Sequence, residues 1–91
     1  MGRISEDMVN QLREGTPLED VIGEFVSLRK TGSTFKALCP FHEEKTPSFN
    51  VNPRMGIFKC FGCGAGGDVI RFLMEHEGMS FRDALQNLAS R

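Results

Sequence analysis

The chain contains no tryptophan and no tyrosine, and at 91 residues with 40% apolar composition it has little with which to fill a core. A domain this small buries a smaller fraction of its surface than a larger one, so something besides apolar burial must secure the fold. Cysteine is scarce and odd in number, with three residues. A disulfide framework would leave one unpaired, which favours a reducing compartment. No apolar run approaches the length of a membrane span, and the opening residues Met1 to Asp7 lack the apolar centre of a secretion signal. A cytoplasmic location is the expectation. Carboxylates are not clustered either. The acids sit mainly at helix starts or on solvated faces, and the pair Glu43–Glu44 is too small for a two-metal catalytic site. No repeat, linker or low-complexity stretch divides the chain, which reads as one domain over residues 1–91.

What is present is a set of metal ligands. Cys39 and His42 form a Cys-x-x-His pair, Cys60 and Cys63 form a Cys-x-x-Cys pair, and 17 residues separate the two. Each pair fits one edge of a tetrahedral ion, and closed structural zinc sites take four Cys or His ligands. Three sulfurs and one imidazole use every cysteine. Pro40 presets φ for the first turn, and Gly62 and Gly64 are expected to supply positive φ in the second. Two plainer readings compete: His42 as a surface histidine, and Cys60 with Cys63 as a redox dithiol. The dithiol would call for a βαβ setting, whereas glycine-rich sequence and short strand-like runs surround this pair. One structural Zn²⁺ is the expectation, and the fold is expected to depend on it.

Local patterns predict a small α+β domain: a zinc ribbon with an antiparallel sheet of four to five strands between short N-terminal and C-terminal helices. A first helix over 5–14 starts at Ser5 and ends at Gly15, with Met8, Val9 and Leu12 on one stripe. A second over 17–25 has Thr16 as its cap, Pro17 at the first position and Glu19 completing a capping box, with Leu18, Val21, Ile22 and Phe25 facing inward. From 26 to 61 the period falls to two. Val26–Lys30 and Thr34–Leu38 flank the turn Thr31-Gly32-Ser33, and Ser48–Val51 and Ile57–Cys60 flank a second turn from Asn52 to Gly56. Helices over 68–77 and 81–90 follow. Asp68 and Ser80 cap them; Val69, Phe72, Leu73 and His76 share a face of one, and Ala84, Leu85 and Leu88 face inward on the other.

Charge is unevenly distributed. Between Arg29 and Lys59 six basic residues face two acids, a net +4, while the flanks hold five basic and ten acidic residues. Three thiolates on Zn²⁺ leave a formal −1 within the basic segment, and part of the positive charge offsets it. The remainder describes a polyanion-facing surface on an acidic support. Five of the eight phenylalanines, Phe35, Phe41, Phe49, Phe58 and Phe61, interleave with these cations. Rings beside cations suit a single nucleic-acid strand, although phenylalanine in a small sheet is more often core. Alternation along Ile57–Phe61 puts Lys59 and Phe61 on the face opposite Phe58 and Cys60.

Cys39-Pro40-Phe41-His42, then Glu44-Lys45-Thr46-Pro47-Ser48-Phe49 with Val51, then Phe58-x-Cys60-Phe61-Gly62-Cys63-Gly64 with Gly66-Gly67, resemble the N-terminal zinc-binding domain of bacterial DNA primase. Asp20-Val21-Ile22 and Phe72-Leu73-Met74 extend the resemblance over nearly the whole chain. It implies Zn²⁺ on Cys39, His42, Cys60 and Cys63. It also implies a single-stranded DNA template on the sheet, with Lys30, Lys36, Lys45, Arg54 and Lys59 as contacts and Phe35, Phe49 or Phe61 as stacking platforms. The parent enzyme makes RNA primers at the replication fork through a toprim-type polymerase core, which this domain joins in cis or in trans to choose initiation sites and regulate primer length. The replicative helicase would be engaged only through regions absent here. The chain is then a fragment, not itself an enzyme. Two rivals stand beside this reading: a zinc-stabilised module that docks on a polymerase core without touching nucleic acid, and a redox switch that releases metal when Cys60 and Cys63 oxidise.

Overall fold

A computed structural model describes residues 5–91; Met1 to Ile4, part of the stretch read for a secretion signal, lie outside it. Helices α1 (Glu6–Gly15) and α2 (Leu18–Gly23) precede strands β1 (Arg29–Thr31), β2 (Thr34–Ala37), β3 (Phe49–Asn52), β4 (Ile57–Cys60) and β5 (Gly66–Gly67), and α3 (Val69–Glu77) and α4 (Phe81–Ala89) close the chain. The five strands form one antiparallel sheet in sequential order.

Each hairpin follows from its turn. Gly32 adopts φ 63°, as the first central residue of a two-residue type II′ reversal requires, so Thr31 pairs with Thr34. Residues 26–28 stay outside the sheet, because β2 ends at Ala37 where the first metal-binding turn begins, and the chain before Arg29 finds no partner. In the second reversal the Asn52 side chain accepts from the Met55 amide at 3.1 Å and Gly56 takes φ 67°.

The helices start and stop largely where local chemistry directs. Ser5, Asp68 and Ser80 accept from the amides of Met8, Arg71 and Asp83. Gly78, left-handed at φ 69°, ends α3 and returns its amide to Leu73. Thr16 does not cap α2. Its hydroxyl donates back to the Leu12 carbonyl at 2.7 Å, closing the end of α1, and Pro17 takes the capping position with no side-chain bond. The last turn of α2 tightens, with the Glu24 and Phe25 amides bonded three residues back to Val21 and Ile22. Phe25 consequently leaves the helix face and lies half-exposed, its ring 5.3 Å from that of His76 and 6.1 Å from that of Phe72.

One face of the sheet carries Val51, Phe58, Phe49, Cys60 and Ala37, all buried under the helices. Leu18, Val21 and Ile22 of α2, Val69, Phe72 and Leu73 of α3, and Ala84, Leu85 and Leu88 of α4 complete this core. Phe72 is its hub. The ring has no exposure, meets Phe58 edge-on at 5.7 Å, and is covered by the stacked imidazole of His76 at 5.0 Å. Phe72→Ala should therefore cost about 3–5 kcal/mol in the zinc-loaded protein. Urea denaturation followed by circular dichroism would show it as a lower midpoint at unchanged slope.

Candidate metal centre and nucleic-acid interface

Cys39, His42, Cys60 and Cys63 converge at one end of the sheet, with their ligand atoms all within 4.8 Å of one another. Cys60 arrives at the end of β4 and Cys39 in the turn after β2, both buried, while Cys63 is exposed and His42 half-buried. The Cys39 and Cys63 sulfurs lie 3.8 Å apart. A tetrahedron with Zn–S bonds of about 2.3 Å has edges of about 3.8 Å, so this spacing is that of two sulfurs sharing one ion. His42 Nδ1 lies 4.0 Å from the Cys60 sulfur, and its Nε2 points away, 3.2 Å from Glu44 Oε1. The geometry assigns Nδ1 as the ligand atom. These four residues are positioned to bind one structural zinc ion, which would cross-link two turns 17 residues apart.

Both turns aim backbone amides at sulfur. Phe41 N–H donates to the Cys39 sulfur at 3.4 Å and Gly62 N–H to the Cys60 sulfur at 3.3 Å. Gly64 has the positive φ expected of it, 83°, but Gly62 does not. Gly62 is required by space instead: a Cβ there would stand 2.8 Å from Ser48 Oγ and 2.9 Å from His42 Nε2. Phe41 anchors the first turn to the core, stacking on Phe58 at 5.9 Å and meeting Phe72 edge-on at 6.0 Å.

Glu44, which the sequence presents only as part of the motif and not as a site residue, organises the site from outside the ligand set. Its side chain is 11% exposed and accepts from the Cys39 amide at 2.8 Å, from the Ser48 amide at 3.1 Å, and from the Ser48 hydroxyl and the His42 ring. Ser48 Oγ, which donates to the Glu44 carboxylate, also lies 3.5 Å from the Cys60 sulfur and so links carboxylate and ligand. The Ser48 hydroxyl, the Cys39 and Ser48 amides and His42 hold the Glu44 carboxyl below its ordinary range against the effect of burial. A carboxylate that fixes the far nitrogen of a ligand histidine sets its tautomer and orientation. The signal available in the sequence was a glutamate two residues beyond a ligand histidine. Glu43, its neighbour, is exposed and takes no part.

Without metal the sulfurs differ. Burial pushes the Cys39 thiol up to about 12. Burial acts the same way on Cys60, but the Ser48 hydroxyl and the Cys63 and Gly62 amides overcome it and hold that thiol down to about 6. Zinc uptake near neutral pH must therefore displace the Cys39 proton, and a weakly buffered indicator solution should acidify as metal is added.

The outer face of the sheet bears the second feature. Register aligns Arg29, Lys36, Asn50, Lys59 and Gly66 in one row across all five strands. Beside it lie Thr34, Asn52 and Ile57, and Phe61 extends the Lys59 side with 72% of its surface exposed. No strand residue is acidic. Arg13, Arg71 and Arg91 pair with Asp68, Glu75 and Glu24, whereas among the described residues no lysine forms an ion pair.

The predicted contact residues divide. Lys36 and Lys59 share the row and Phe61 flanks it. Lys30 pairs with Phe35 and shares the opposite face with it, and Arg29, counted among the cations but not selected, occupies the place in the row. Treating Thr31 as part of a three-residue turn puts Lys30 in phase with Lys36; the two-residue turn moves every β1 side chain to the other face. Phe49 is fully buried and offers no ring to a base, and Phe35 is half-buried against the core. Lys45 lies in the loop carrying the first metal turn, and Arg54 in the β3–β4 turn at the opposite end of the sheet.

Comparison with known proteins gives a consistent result. The CHC2 zinc finger family matches residues 4–91. The DNA primase of Listeria monocytogenes is 49% identical over 89 residues, 98% of this chain and 14% of that protein. The DNA primase of Thermotoga maritima is 50% identical over 88 residues, 97% of this chain and 16% of its own length. The crystal structure of the Aquifex aeolicus primase, comprising zinc-binding and RNA polymerase domains, superposes with a TM-score of 0.87 at 46% identity, covering 97% of this chain and 22% of that one. The chain thus spans about a seventh of the length of the curated relatives it matches. Among the described residues no helix is long and apolar enough to cross a membrane.

Glu44→Gln keeps the size of the side chain but removes the charge behind His42, and should weaken zinc binding by about 10- to 100-fold. Competition against a chromophoric chelator would measure this, and unchanged affinity would remove Glu44 from the metal site.

Proposed function

The chain belongs to the CHC2 zinc finger family, the zinc-binding domain of bacterial DNA primases, and from that premise we propose that the outer face of its sheet binds single-stranded template DNA. The observation that carries this reading is the row Arg29–Lys36–Lys59: three uncommitted cations, one strand or two apart, on a face without acids and next to an exposed phenylalanine. Cations at this spacing neutralise phosphates, and a ring beside them stacks a base of any identity. Zinc would tie the turn after β2 to the turn after β4 at one end of the sheet and so keep this surface in register, a structural role.

In a whole primase, a domain of this kind would present template to the polymerase core, in the same chain or a neighbouring one, helping to select the initiation site and regulate primer length. Catalysis would rest with that core. Docking on protein alone is the second reading, and exposed Met55 and Ile57 beside the β3–β4 turn are the features that favour it.

Salt dependence separates the two. Three phosphate contacts give a log-log slope near −2 on a single strand. Fluorescence anisotropy across a salt series should show that slope, reduced by roughly 0.7 in Lys36→Ala and in Lys59→Ala. Lys30→Ala, on the other face, should leave it unchanged. Strand binding that ignores salt, or that ignores both substitutions in the row, would contradict this function.

A further inference from the structure

We propose that the centre of this outer face reads a thymine base in the bound strand, with Asn50 setting the preference; the inference rests on the single-strand reading of that face. Asn50 lies on β3, the middle strand, directly between Lys36 on one side and Lys59 on the other. Its orientation is fixed from within the protein: Nδ2 donates to the Ser48 carbonyl at 3.2 Å. Ser48 is itself held by Glu44 and the metal site, so the amide is braced by the most constrained part of the fold. Among the described residues the Asn50 Oδ1 accepts no bond and remains an acceptor for a ligand.

A lysine ammonium can only donate hydrogen bonds. Across the sheet, therefore, the sequence of groups is donor, acceptor, donor. The pairing edge of an unstacked thymine presents O4, N3–H and O2, which is acceptor, donor, acceptor. The two patterns are complementary. Cytosine places an amino donor against one lysine and a bare nitrogen lone pair against Oδ1. Guanine brings two adjacent donors, and adenine has only one acceptor and one donor on that edge. A polar group that a bound base covers and leaves unpaired loses its water without replacement, so mismatches of this type discriminate.

Room for the strand to continue exists on one side of Asn50. A shallow groove is lined by Asn50, Asn52, Lys59, Phe61, Gly64 and Gly66. Gly66, opposite Lys59, carries no side chain, and a Cβ there would press on the Lys59 stem at 3.4 Å and the Phe58 carbonyl at 3.0 Å. The open strip over β4 and β5 leaves space for the next nucleotide of the strand beside the base held at Asn50, and Phe61 offers that neighbour a ring.

The test compares oligonucleotides of about eight nucleotides on the zinc-loaded protein. Oligothymidylate should bind about two- to tenfold more tightly than oligocytidylate, the worth of one net hydrogen bond. Deoxyuridine should retain that advantage, since its pairing edge is the same, and 3-methylthymidine, which lacks the N3–H, should lose it. Asn50→Ala should bind all of them as wild type binds cytidylate, while keeping its zinc and its salt slope. The 3-methylthymidine arm uses unmodified protein and stands even if the variant does not fold. Equal affinity for thymidylate, cytidylate and methylated strands with the salt slope intact would overturn the base reading alone. A thymine preference that survives in folded Asn50→Ala would overturn it too. Failure to bind any strand would overturn both this inference and the function beneath it.

Discussion

Everything in this domain depends on two chain reversals being held together at one end of a five-stranded sheet. The apolar core is real but small: among the described residues sixteen are buried, and α1 contributes none of them. A domain of ordinary stability has about 5–15 kcal/mol in hand, and structural zinc in small peptides supplies about 10–16 kcal/mol of apparent binding free energy. The ion therefore acts on the scale of the whole fold. Its influence does not stop at four ligands. Glu44 ties His42, Cys39 and Ser48 into one hydrogen-bonded unit, and Phe41 carries the first turn into the aromatic core against Phe49, Phe58 and Phe72.

The same arrangement gives the sheet two unlike faces. Cys60 and Phe58 look inward and Lys59 outward because strand side chains alternate, and the metal fixes that phase at Cys60. Once the phase is set in β4, register transmits it across the sheet through Asn50 and Lys36 to Arg29. Metal coordination thus determines which cations stand together, although no cation touches the metal site. Arg13 and Arg71 of the helices and Arg91 just after α4 are paired with acids, whereas Arg29, Lys36 and Lys59 of the sheet are not, which leaves the sheet's positive charge available to a partner.

The metal ligands were legible in the sequence because a Cys-x-x-His and a Cys-x-x-Cys pair each encode a local geometry that needs no tertiary information. The small α+β fold with its antiparallel sheet was legible for the same reason, through capping residues and period-two runs. What could not be read depended on distinctions finer than pattern. Whether Thr31 belongs to strand or turn decides between Lys30 and Arg29, and a difference of one residue has no sequence signature. Gly62 looked like a conformational glycine and proved a steric one, since the contact that excludes a side chain comes from Ser48 and His42 in another segment. Thr16 had two helix ends to serve and closed the first rather than starting the second. Phe49 and Phe61 are alike in the sequence, but one lies opposite buried Cys60 in the sheet and the other just past its end.

The most direct measurement is an amide-resolved NMR spectrum of the protein with zinc, after chelation, and after zinc is restored. The account predicts that resonances of β1 to β5 collapse to unfolded positions without metal and return with one equivalent of zinc, while parts of the helices retain order. A chelated protein that keeps a dispersed sheet spectrum would contradict it.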